Sequence, residues 1–102
     1  MGPKTATLCN RLDETISLLE SVGESHWTGW LRKAVSQIRD SDFAGIEHLG
    51  RAFGGMGSFN ELVLSGHGES ARNESQVNAR LYALRTELYD LVQQIKQEAE
   101  IV

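Results

Sequence analysis

Leu8, Leu12, Thr15, Leu19 and Val22 recur at alternating intervals of four and three, with Ile16 and Leu18 widening the stripe. That spacing keeps one face apolar and predicts an amphipathic helix over residues 5–22. Gly23 follows, placed to take the left-handed conformation that ends a helix. Ser25 offers an N-cap for a second helix over 26–39, whose inner face is Trp27, Trp30, Leu31, Ala34, Val35 and Ile38. Gly29 inside it costs ~1 kcal/mol relative to alanine, so a backbone or a large ring packed against it is expected. Asp40-Ser41-Asp42 breaks the pattern and supplies caps for a short helix over 43–52, with Phe43, Ile46, Leu49 and Phe53 turned inward.

The clearest pattern lies near the C-terminus. Val77, Leu81, Leu84, Leu88, Leu91 and Ile95 step by four and three, a heptad seam within a helix over 75–100 that Tyr82 and Tyr89 flank. The first helix carries the same spacing, so the two long helices are expected to pack antiparallel or nearly so. A homo-oligomer built along the seam is a second use for it. The fold class is all-α: a small bundle of two long helices (5–22 and 75–100) and two or three shorter ones around a glycine-rich loop. At this length it is one domain, 1–102.

That loop is Gly54-Gly55-Met56-Gly57-Ser58, held between Phe53 and Phe59-Asn60-Glu61. Glycine visits positive φ without penalty and costs entropy where that freedom is unused, so such a cluster marks a special backbone path or a close approach. Ser58 with Glu61 fits a capping box, after which Phe59, Leu62 and Val63 would face inward. Leu62-Val63-Leu64 is too brief for periodicity to choose between helix and strand over 59–65. Ser65 to Ser70, with His67 between two glycines, has the composition of a surface loop.

The run from Ile46-Glu47-His48-Leu49 through Phe53 and Gly-Gly-Met-Gly-Ser-Phe-Asn-Glu-Leu-Val-Leu resembles a family of short bacterial all-helical proteins of unknown function. That family shares a Phe-Gly-Gly-Met-Gly-Ser-x-Asn-(Asp/Glu)-Leu core, usually with aspartate where this chain has Glu61. The likeness covers roughly residues 26–65. It implies helical boundaries and a bacterial or phage origin, and it carries over no catalytic residue.

Composition narrows the function classes. With 40% hydrophobic and 24% charged residues the chain is globular rather than disordered. A net charge of −4 repels nucleic acid at long range. Residues 26–57 are the exception, with Arg32, Lys33, Arg39 and Arg51 against Asp40, Asp42 and Glu47. The lone Cys9 suits a reducing cytoplasm and reads as a buried thiol. No apolar run is long enough to span a membrane, and no signal-peptide core is present, so a cytoplasmic location is expected.

Candidate chemistry centres on His48, Arg51, Gly54, Gly55, Met56, Gly57, Ser58 and Asn60. A glycine loop opening a helix can hold a phosphate on its backbone N–H groups. This one lacks the lysine of a P-loop and the third glycine of a dinucleotide fingerprint, and Glu61 would compete for the same amides. His26, His48, His67 and Cys9 share no metal-ligand spacing, and no nucleophile elbow is present. No metal, cofactor or catalytic residue is therefore expected. The leading expectation is a protein-binding module, an inhibitor or immunity-type protein that occludes a basic toxin or nuclease, without direct nucleic-acid or membrane contact. The acidic faces of the first and last helices would steer that partner. Trp27 and Trp30 are candidates for either core or contact surface. The alternative is a phosphate or nucleotide site at Gly54–Ser58.

Overall fold

The computed structural model describes residues 2–53, 59, 62–64 and 74–101. The expectations for Gly54–Ser58, Asn60, the Ser58–Glu61 capping box and the loop around His67 fall outside these residues. Among the described residues four α-helices follow in order: α1 (Pro3–Ser21), α2 (His26–Arg39), α3 (Ala44–Gly50) and α4 (Glu74–Ile101), with a 3₁₀ turn over Arg51–Phe53 after α3. The architecture is a small all-α bundle.

Pro3 opens α1 at its first helical position, where a missing N–H costs nothing, so the helix begins two residues before the expected start at residue 5. It ends as the pattern requires. Gly23 has φ +75, its N–H donates to the Glu20 carbonyl (3.1 Å), and Glu24 N–H donates to that of Leu19 (3.0 Å). The pair of bonds is a Schellman motif. Helix α2 ends in the same way, with Ser41 N–H on the Ile38 carbonyl (3.0 Å) and Asp42 N–H on that of Gln37 (2.9 Å). There the left-handed position is Ser41, at φ 60. Because an L-residue pays about 1–2 kcal/mol in that conformation, Ser41→Gly should raise stability by about 1 kcal/mol in a denaturant titration.

Two local expectations are corrected. Ser25 occupies the N-cap of α2 but makes no side-chain cap; Glu24 Oε2 accepts the Trp27 N–H instead (2.8 Å). Gly29 has open space where a Cβ would go, whereas Gly45 is the glycine pressed against α2.

Helices α1 and α4 run antiparallel, tied along one flank by Lys4–Glu98, Arg11–Glu87 (2.7 Å) and Glu14–Arg80 (3.1 Å). Their seam is closed inside the chain, because Leu8, Leu12, Leu19, Leu81, Leu84 and Leu88 are all buried. An oligomer through the middle of that seam would have to open this packing. Val92 is the fully buried residue near its end, while Leu91 and Ile95 are only partly covered. Helices α2 and α3 pack together on the same core through Leu31, Ala34, Val35, Ile38, Ile46 and Leu49. Phe43, expected inward, is exposed at the start of α3. Buried Cys9 has its pKa raised by desolvation, consistent with an inert thiol.

Candidate functional site

Helix α4 carries a second stripe beside its apolar seam, and this one holds the chain segment that brackets the glycine loop. Lys96 Nζ lies 2.9 Å from where a Cβ on Gly50 would stand. One turn and more along, Tyr89 meets the Phe53 ring edge-on at 5.6 Å. Arg85 Nη1 donates to the carbonyls of both Phe59 and Leu62, each at 2.8 Å. Asn78 then clamps Leu64: Oδ1 accepts its N–H (2.7 Å) and Nδ2 donates to its C=O (2.9 Å). Gly50, Phe53, Phe59, Leu62 and Leu64 thus meet α4 in antiparallel order, at Lys96, Tyr89, Arg85 and Asn78.

This arrangement answers the open question over 59–65 for its described residues alone, Phe59 and Leu62–Leu64. Among the described residues Leu62–Leu64 form neither helix nor strand; the Asn78 amide supplies the two hydrogen bonds that a neighbouring strand would give. Phe59 and Leu64 are buried as a consequence, Leu62 is half-covered and Val63 points outward. Burial pulls the Arg85 pKa below its ordinary value, and the Phe59 and Leu62 carbonyls take up its donors.

Phe53 and Phe59 join an aromatic chain across the molecule. Phe53 and Phe59 meet edge-on at 6.0 Å, Phe59 lies 5.3 Å from Trp27, and Trp27 lies 5.5 Å from Trp30. Trp30 stacks on His48 at 4.2 Å, nearly parallel at 19°. Both tryptophans are half-buried, so each is part core and part surface.

His48 and Arg51, the two described members of the predicted site, take different roles. His48 forms a reciprocal latch between α2 and α3: Trp30 Nε1 donates to its carbonyl (3.1 Å), and its Nε2 donates to the Trp30 carbonyl (3.2 Å). Arg51 is exposed on the 3₁₀ turn. Desolvation chiefly lowers the His48 pKa, the bond to Trp30 opposes this, and the Lys33 and Arg51 charges add to the lowering. The unfolded chain therefore binds this proton more readily. Stability from His48 is complete above about pH 6.5 and is lost as pH falls through the lower folded-state value. Thermal melts between pH 7 and 5 should show a steeper loss for the native chain than for His48→Gln, which keeps a donor for Trp30.

The acidic face expected on α1 is largely engaged. Asp13 pairs with Arg39, Glu14 with Arg11 and Arg80, and Glu20 with Arg32. The outer face of α4 is different. Tyr82 and Tyr89 are 68% and 45% exposed and form a shallow groove with Arg85 and Thr86. Among the described residues no group of three or more His, Cys, Asp or Glu could hold a metal, and no helix is long and apolar enough to cross a membrane.

A family model, described as a domain of unknown function (DUF6966), matches residues 20–71, which is half of the chain. The chain belongs to the DUF6966 family. No curated protein and no solved structure matches it. The DUF6966 match takes in α2, α3, the 3₁₀ turn and the clamped segment through Leu64, and leaves out most of α1 and all of α4. Trp27, Trp30, His48, Phe53 and Phe59 thus come from the DUF6966 region, while Asn78, Arg85 and Tyr89, which hold it, come from outside. The sequence pattern missed those three holders. Their signal is that Asn78, Arg85 and Tyr89, spaced by seven and four and followed by Lys96 after seven more, fall on one side of α4 next to the seam.

Proposed function

We propose that this chain is a protein-binding module, an inhibitor or immunity-type protein that covers a partner's working surface in the cytoplasm of a bacterial host. The outer stripe of α4 carries the reading. Tyr82, Ala83, Thr86, Tyr89, Gln93 and Gln97 follow one another along it, with Asp90 beside them and Arg85 at its edge, the guanidinium turned in to the Phe59 and Leu62 carbonyls. In a chain that is 24% charged, a long exposed face so poor in charge and holding two tyrosines has the composition of an interface centre. Tyrosine adds contact area at low entropic cost. A net charge of −4 suits a basic partner, a toxin or nuclease among the candidates, with charge setting encounter and the tyrosines setting residence.

The test compares the native chain with Tyr82→Ser/Tyr89→Ser as bait in extracts of the native host. Tyr82 is the more exposed of the two and Tyr89 also packs on Phe53, so a thermal melt must first show that the variant is folded, with Tyr82→Ser alone as the second bait if it is not. A stoichiometric partner held by the native chain and lost by the variant, whose purified activity then falls on titration with the native chain, is the expected result. Capture of no partner, or equal capture by both baits, defeats the reading. Self-association in sedimentation that the variant abolishes would give the stripe to a second copy instead.

A further inference from the structure

We propose that Lys33, His48 and Arg51 form a receptor corner for a phosphate-bearing ligand, built over the Trp30–His48 stack. Lys33 lies three residues after Trp30 on α2, and Arg51 lies three residues after His48 at the end of α3. Helical side chains lean toward the N-terminus of their own helix and cover the preceding turn. Lys33 and Arg51 are thus each placed about one turn on from a member of the stack, on two helices that the stack itself joins. Both cations are exposed. Every ion pair among the described residues includes a member of α1, and neither Lys33 nor Arg51 enters one.

The nearest other charge on the corner's own helix is Glu47, exposed just before His48; Lys96 reaches α3 at Gly50, on the side that faces α4. Two cations thus meet one carboxylate at the corner, in a chain whose net charge is −4. With Nε2 committed to the Trp30 carbonyl, Nδ1 is the nitrogen left to take a proton. A phosphate offers up to two charges and three acceptor oxygens, enough for an ammonium, a guanidinium and a newly protonated Nδ1–H together. After desolvation, the larger cause, the Lys33 and Arg51 charges also lower the His48 pKa. This corner faces α2, whereas Gly50 and Phe53 face α4, so it stands apart from the proposed docking stripe.

The experiment follows the His48 ring by NMR in the full chain as pH is varied. Inorganic phosphate is compared with chloride at equal ionic strength, and adenosine monophosphate forms a third arm. Saturating phosphate should raise the His48 midpoint by about one unit, a tenfold gain in proton affinity. In Lys33→Gln/Arg51→Gln the midpoint should start higher, because two cations are gone, and should no longer respond to phosphate. A response at lower concentrations of the nucleotide assigns a nucleotide ligand, and a response to inorganic phosphate alone assigns the free anion. Identical midpoints in phosphate and chloride, or an undiminished response in the double variant, would overturn the proposal. None of these outcomes depends on whether a protein partner binds α4.

Discussion

Asn78→Asp should lower stability by about 2–3 kcal/mol, roughly 10–20 °C in melting temperature for a domain of this size, although it changes one NH₂ to oxygen. The native amide makes three bonds: it accepts from the Leu64 N–H at 2.7 Å and donates to the carbonyls of Leu64 and Glu74, both at 2.9 Å. A carboxylate keeps the first bond and turns the other two into oxygen facing oxygen. Leu64 is buried, so its carbonyl cannot turn to water without lifting the segment off α4. Lifting it would also expose Phe59, the largest fully buried side chain, and the Arg85 guanidinium beneath. Asn78→Ala should cost a similar amount by the opposite route, leaving both Leu64 groups without a partner. Denaturation curves give the size of the effect, and hydrogen exchange at the Leu64 amide gives its place. A variant within about 0.5 kcal/mol of the native chain would mean that the clamp is decorative.

Much of this bundle is legible in the spacing of apolar residues, because burial and helical period act on the same atoms. The ends of α2 match the expectation residue for residue, and Gly23 stops α1 as a left-handed residue. Errors arise where a choice depends on contacts between elements. Leu91 and Val92 are equally apolar neighbours, and only the helix phase against α1 decides that Val92 is the buried one. Phe43 fits an inward stripe by spacing, yet it precedes α3 and lies outside. His48 reads as a free ligand candidate in one dimension; opposite Trp30 it becomes a latch. The clamps at Asn78 and Arg85 are the largest omission. A polar side chain that satisfies a distant backbone leaves no periodic trace of its partner, so sequence shows the donor row without showing what it holds.

The two helical glycines show the same division, and substitution separates them by sign. Gly29 and Gly45 each look like an interruption in an otherwise good helix. At Gly45 an added Cβ would stand 2.8 Å from the Ala34 carbonyl oxygen, 2.8 Å from Ile38 Cγ1 and 2.9 Å from Gln37 Cβ. Ile38 can rotate, but the Ala34 oxygen belongs to the α2 backbone and can move only with the helix. Gly45→Ala should therefore force α2 and α3 apart and cost about 1–3 kcal/mol, as overpacking does in tight cores. At Gly29 nothing stands within 4 Å of the added carbon, so alanine there should gain about 1 kcal/mol from helix propensity. Separation of the helices also has a local reporter. Trp30 and His48 are joined across this same interface by two hydrogen bonds and a 4.2 Å stack, so Gly45→Ala should alter the Trp30 fluorescence and raise the His48 pKa toward its ordinary value. Gly29→Ala should leave both unchanged. A stable Gly45→Ala with an unaltered His48 titration would mean that the close approach of α2 and α3 is not what requires glycine.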